Sequence, residues 1–140
     1  MRFIISGPKV EPEKLSALVN IVPDRSARKR DERRNIKGAL LGYEENGWWS
    51  LESTPRLRVR GIRKKDINEH IDALLKILLP HKVLFNKLSE NSETLFDVLW
   101  KSTYLYAGTG PCIDAHILRG MAELNAGIAF DIYQVNEDEE

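Results

Sequence analysis

ETLFDVLWKSTYLY at residues 93–106, PCIDAHILRGMAELNAG at 111–127 and IAFDIYQV at 128–135 form the stretch from which the fold is read. In the first segment Phe96, Val98, Trp100 and Tyr104 lie on one side of an extended chain, and Leu95, Leu99 and Leu105 on the other. A strand apolar on both faces belongs inside a sheet whose second face is at least partly covered, by the protein or by a partner. Gly108-Thr109-Gly110 breaks it. Pro111 suits a first helical position, and Ile113, Ile117, Leu118, Met121 and Leu124 mark an amphipathic helix that ends near Asn125 and Gly127. From Ile128 to Val135 the alternation of Ile128, Phe130 and Ile132 with Ala129, Asp131 and Tyr133 predicts a final strand.

Working outward, the N-terminal third offers a second strand-helix-strand unit. Arg2 to Ser6 reads as a strand, and Pro12 opens a helix whose Leu15, Leu18 and Val19 recur at helical spacing before Pro23 ends it. Asp24 to Lys37 carries seven basic and three acidic residues and no wide apolar stripe, which predicts an exposed loop or a frayed helix. Ala39–Tyr43 and Trp48–Ser53 flank Glu44-Glu45-Asn46-Gly47, and Asn-Gly predicts a tight β-hairpin there. Between the two units Pro55–Lys65 reads as a loop or weak edge strand. Asp66 to Glu69 has the form of a capping box, and Ile67, Ile71, Leu74, Leu75 and Leu78 follow as the stripe of a helix. Pro80 interrupts it, and Lys82 to Leu88 resumes as a short helix.

Two split β-α-β units predict an α+β, ferredoxin-like antiparallel sheet with right-handed crossovers, helices on one face and a helical insert between the units. The expected organisation is a single domain over residues 1–136 and an acidic C-terminal tail over 137–140.

Composition narrows the class. At 140 residues, 42% hydrophobic and 30% charged, the chain can bury a full core and lacks the signature of disorder. Cys112 is the single cysteine, so no internal disulfide is possible, and the apolar run in MRFIISG is too short for a secretion signal or a membrane span. A cytoplasmic protein that does not enter a membrane is expected. The net charge of zero hides a segregation: residues 1–65 hold 16 Lys and Arg against 8 Asp and Glu, and the remainder reverses the balance.

The ordered set of Pro23, Ser26 and Lys29, then Gly47-Trp48-Trp49-Ser50-Leu51, the Asp66–Leu78 helix and Asp131-Ile132-Tyr133 resembles a bacterial family, domain of unknown function 4279. The resemblance runs through nearly the whole chain. It implies an α+β fold and no assigned chemistry, so no catalytic residues carry over. Similar chains tend to have glycine where this one has Arg30. Analogy with small bacterial domains of this kind points to an immunity protein that neutralises a cognate toxin.

No complete catalytic set is visible. Cys112 and His116 stand four apart, which on one helix would offer a thiolate with a base, or two metal ligands without a third. The alternative is a small buried hydrophobe beside a surface histidine. His70 and His81 stand alone, and phosphate-loop, zinc-protease and calcium-loop spacings are missing. A non-enzymatic module with no cofactor and no metal site is expected. Its candidate partner-binding residues are Arg28, Lys29, Arg30, Arg33, Arg34, Trp48, Trp49, Arg56, Arg58 and Arg60. Trp48 and Trp49 must point to opposite faces, so one is core and only the other can anchor a partner. That anchor is expected beside the basic Arg56–Arg60 segment, unless Asp24–Lys37 folds over the face and buries both. The expected partner is another protein, with a toxin as the specific case. Nucleic acid held by the basic segments is the alternative, and a second copy of the chain stands open as a further partner.

Overall fold

The computed structural model describes residues 1–57, 66–103 and 110–135, and the side chains of these apart from 101–103 and 134–135. The described strands are β1 (Arg2–Gly7), β2 (Arg25–Ala27), β3 (Glu32–Arg34), β4 (Leu40–Tyr43), β5 (Gly47–Glu52), β6 (Glu93–Thr103) and β7 (Gly127–Val135). The described helices are α1 (Pro12–Val19), α2 (Ile67–Leu78), α3 (Lys82–Ser89) and α4 (Ala115–Glu123), so the chain is α+β. Five strands form one mostly antiparallel sheet in the order β2-β5-β1-β6-β7, and β3 and β4 make a separate pair.

The core follows from register. Phe3 lies opposite Leu51 on one side and Phe96 on the other, and Ile5 lies opposite Trp49 and Thr94. These residues and Val98 form the buried face of the sheet. Against it pack Leu15 and Val19 of α1, Ile71, Leu74 and Leu78 of α2, Phe85 of α3 and Ile117 and Met121 of α4, in a single cluster. Phe3 meets Phe85 edge-on at 5.5 Å between ring centroids, and Phe96 at 5.3 Å. Each such side chain removed from water contributes about 1.5–3 kcal/mol. The opposite alternation set of β6 is unevenly covered: Leu95 is half-buried and Leu99 is exposed.

The predicted capping box at Asp66 and Glu69 is present, and it starts α2 at Ile67. Pro80 falls in a short 3-10 turn between α2 and α3, as its missing N–H requires. Pro111 does not open α4. That helix begins at Ala115 with Asp114 as its N-cap residue. The approach is fixed from α2, where the Asn68 amide donates to the Cys112 carbonyl at 3.0 Å and accepts from the Asp114 N–H at 2.9 Å. Asn125, in the left-handed region at φ 53°, ends the helix region before β7.

Three expectations about topology are corrected. The segment 93–135 is not a split unit, because β6 and β7 are adjacent and parallel, with Phe96 beside Ile128 and Val98 beside Phe130. α2 and α3 do not form an insert between two units: they connect β5 to β6, which flank β1 and are both antiparallel to it. The hairpin expected at Glu44–Gly47 does not form either. β4 and β5 follow one another through a bend at Glu45-Asn46 without pairing together, and each pairs with the preceding basic segment: β4 with β3 and β5 with β2. Asp24–Lys37 is therefore neither a loop over the sheet nor a helix. Tyr104–Tyr106, Gly108-Thr109, Arg58, Arg60 and the tail 137–140 lie outside the described residues.

Candidate functional site

β2 and β3 run alongside β5 and β4 as one bent two-stranded ribbon, anchored in the sheet by β2 and β5 and continuing past it as an arm. The bend is a turn at Arg28–Asp31, closed by the Asp31 N–H on the Arg28 carbonyl at 3.1 Å and by the Asp31 carboxylate on the Arg28 N–H at 2.8 Å. Arg30 sits in this turn at φ 73°, in the left-handed region that favours glycine. Bonds from Arg30 N–H to the Glu44 carbonyl and from Glu44 N–H to the Asp31 carbonyl, both 2.8 Å, carry the ribbon through the bend. At the far end Asn35 and Gly38 make the turn that sequence reasoning had placed at Asn46-Gly47. The Asn35 side-chain oxygen accepts from the N–H groups of Lys37 and Ala39 at 2.9 Å each, and Gly38 has φ 83°.

Gly47 has a different task. A Cβ there would stand 1.9 Å from the Val10 carbonyl oxygen, so glycine lets the chain after β1 pass directly over the start of β5. A register shift between Arg33 and Arg34 leaves an extra residue on β4, beside Gly42 at φ 138°, and twists the arm.

Every residue from Arg28 to Leu41 is exposed. The arm carries Ile36 (102% exposed), Leu40, Leu41 and Tyr43 in contact with nothing that buries them. Register places Tyr43 opposite Glu32 and Leu40 opposite Arg34, so an apolar pair and an ion pair share one face. Its cations fall into two groups. Arg28 donates to Glu13 of α1 at 2.6 Å, Arg34 pairs with Glu32 at 2.6 Å and Arg33 approaches Glu44 at 3.9 Å. The Glu13 carboxyl is held below its ordinary value, first by its own backbone amide and then by the Arg28 guanidinium, whose own value Glu13 raises. Among the described residues Lys29, Arg30 and Lys37 make no ion pair.

The remaining predicted site residues are dispersed. Trp49 is 0% exposed and donates its ring N–H to Ser16 Oγ at 3.0 Å, so it belongs to the core and offers no contact surface. Trp48 points to the other face, as adjacent residues must, and is half-buried opposite Ser6 and Ala27. Arg56 follows the opposite end of β5, at least about 13 Å of strand from Trp48 at 3.3 Å per residue, so the two do not form one patch. Its guanidinium pairs with Asp24 and donates to the Glu52 carbonyl at 2.6 Å, which ties the 3-10 turn after β5 to the entry of β2. Arg58 and Arg60 lie outside the described residues.

Cys112 is exposed and precedes α4, so it shares no helical face with His116 and is not the buried hydrophobe of the alternative reading. Sequence reasoning missed a contact between Ser53 Oγ and His70 Nδ1 at 2.8 Å. Ser53 is 0% exposed and also donates to the Met1 carbonyl at 3.1 Å, which makes the pair a partly buried tie between the start of β1, the end of β5 and α2. Among the described residues no three His, Cys, Asp or Glu side chains stand close enough to hold a metal ion, and no helix is long and apolar enough to cross a membrane. No curated protein and no solved structure matches the chain. A family model does match, over residues 1–135 of 140, as the ordered motifs imply: the chain belongs to the family described as domain of unknown function (DUF4279).

Proposed function

We propose that this protein is a non-enzymatic protein-binding module whose contact element is the β3–β4 arm, and that its partner is a bacterial toxin neutralised in the cytoplasm. The observation that carries the reading is the fully exposed run Arg28–Leu41 with apolar residues along it. An isolated two-stranded ribbon is marginally stable in water, and apolar side chains held on one away from the core gain nothing from the fold itself. Aromatic and apolar anchors rimmed by arginine are the composition of interface hot spots. The cations without ion pairs, Lys29, Arg30 and Lys37, suit an acidic partner surface and speed encounter with it. The scaffold, on this proposal, is a ferredoxin-like four-strand unit in the order β2-β5-β1-β6, with α1 and α2 as crossovers and β7 added at its edge.

Co-expression with the toxic domain encoded beside this gene is the test. Rescue of growth by the native chain, and loss of rescue by a folded Leu40→Glu, Tyr43→Glu double variant, is the expected result. Absence of a linked toxin gene, or full rescue by the double variant, overturns the proposal. Nucleic acid is the second reading, because a two-stranded ribbon fits the major groove of B-DNA. It is the weaker one: Arg25, Arg28, Arg33 and Arg34 are each within 4 Å of a carboxylate, and Ile36, Leu40 and Leu41 have no role against phosphate. Absence of any mobility shift at low salt removes it.

A further inference from the structure

The two edges of the sheet are finished differently. β2 is three residues long, carries Arg25 and leads into the arm. β7 has nine residues, GIAFDIYQV, with no proline, no lysine or arginine and no bulge in its pairing with β6. Short length, proline, charged side chains and bulges are the devices that keep an edge from pairing with another strand, and of these β7 has only the single charge of Asp131. Its apolar side chains become more exposed along the strand. Ile128 packs on the core, Phe130 is 36% exposed and Ile132 is 65% exposed, although all three share the helix-side face with Phe96 and Val98. On the other face Tyr133 is exposed as well. No described strand covers the outer edge.

We infer that the outer edge of β7 pairs antiparallel with the β7 of a second copy, which joins the two sheets into a ten-stranded one. Self-pairing about a two-fold axis perpendicular to the sheet keeps the helices of both copies on one side. It requires a residue, not a peptide bond, at the centre. Centring on Asp131 sets two carboxylates directly opposite, which is unfavourable. Centring on Ile132 sets Ile132 against its own copy and Asp131 against Tyr133 of the second copy, so the strand's only charge meets a hydroxyl.

A partner of unlike sequence needs no such register, and a protein of zero net charge has no long-range repulsion to overcome in meeting itself. Centred on Ile132, the two strands overlap over the seven residues 129–135, about 23 Å, and an edge of that length with the side chains above and below it presents roughly 450 Å² per copy. The total of about 900 Å² falls in the class of weak, transient interfaces, so association in the upper micromolar range is expected. β7 and the arm-bearing β2 lie at opposite ends of the strand order, which leaves both arms free and makes the inference independent of what the arm binds.

Sedimentation equilibrium of the full chain across the micromolar range tests it. The native protein is expected to pass from 16.0 kDa toward twice that mass with rising concentration. Ile132→Lys, which sets like charges opposite at the centre, is expected to weaken association at least about tenfold. Ile36→Lys on the arm is expected to leave it unchanged. A native monomer at all concentrations, an Ile132→Lys dimer of native affinity, or dissociation by Ile36→Lys each overturns the inference. Should Ile132→Lys fail to fold, amide exchange of the native chain decides. Protection within Gly127–Val135 must rise with concentration, and unchanged exchange there overturns the inference equally.

Discussion

Replacing Arg30 by glycine is expected to stabilise the protein, although it deletes a cation from the proposed contact element. Arg30 holds φ 73°, where a Cβ crowds the following carbonyl at about 1–2 kcal/mol. Glycine relieves that strain, and its freer unfolded chain takes back about 0.5–1 kcal/mol. The Arg30 N–H bond to the Glu44 carbonyl survives the change, and the exposed side chain makes no ion pair whose loss must be counted. A net gain of about 0.5–1 kcal/mol remains, or about 2–4 °C in Tm for a chain of this size. Arg30→Ala is the matched control, since it removes the same charge and keeps the strained Cβ. Thermal melts and urea titrations of both variants isolate the backbone effect as the difference between glycine and alanine. If glycine proves no more stable than alanine, the turn at Arg28–Asp31 is not held in the left-handed conformation in solution, and the bend that launches the arm is drawn wrongly.

Gly47→Ala is expected to cost about 3 kcal/mol or more, because the new Cβ drives into the Val10 carbonyl and backbone cannot yield as a side chain can; a denaturation midpoint close to native would contradict the close crossing. Thr94 Oγ1 is buried without a hydrogen-bond partner, so Thr94→Val, nearly isosteric, is expected to stabilise by about 1 kcal/mol in urea, and a loss of stability would mean that the hydroxyl is satisfied in solution. Tyr43→Ala is expected to leave the melt unchanged and weaken the partner complex by about 2 kcal/mol, roughly thirtyfold in Kd by calorimetry, whereas an unaffected Kd places the contact elsewhere. As pH falls, Glu13 gives up its interactions only below its ordinary range, since its folded value is lowered: the stabilisation is present above the unfolded value and is lost as pH falls through the folded one. Arg28→Met is expected to raise the Glu13 midpoint in an NMR titration without restoring it fully, because the backbone amide contributes more than the guanidinium.

What was legible in the sequence is what burial writes into it. The stripe Ile67, Ile71, Leu74, Leu75 and Leu78 located α2, and its capping box located the start, because each position is dictated by the core or by the helix end. Trp48 and Trp49 were correctly set on opposite faces by the two-residue period of a strand, although that period does not say which face is core. Pro111 misled for a simple reason: a proline tolerated at a first helical turn is equally at home in the segment leading to it, and Asp114, which stands at the N-cap position of α4, was the stronger signal. Pairing order was not legible. The same strands support a split unit or an adjacent parallel pair, and the apolar character of β6 on both faces does not say which strands flank it.

The basic half of the candidate site was legible, since Arg28, Lys29, Arg30, Arg33 and Arg34 read as contact residues, but its form as a ribbon and its apolar residues escaped the sequence. β3 buries neither face, so it lacks the alternation by which a strand is recognised and its charged residues read as a loop, whereas Ala39–Tyr43 read as a strand and β4 is one, with a different partner from the one expected. The glycine cue was misassigned between two places, because Asn46-Gly47 has the composition of a tight turn while the backbone needs that glycine for a close crossing. The actual turn, Asn35–Gly38, has an intervening Ile36 that no core requires and that stands completely exposed. An apolar residue at the tip of a charged hairpin has no explanation in the stability of this fold. The arm resists description by folding rules at Ile36, Leu40, Leu41 and Tyr43, and it is at such positions that a surface selected to meet another molecule departs from one selected only to stay in water.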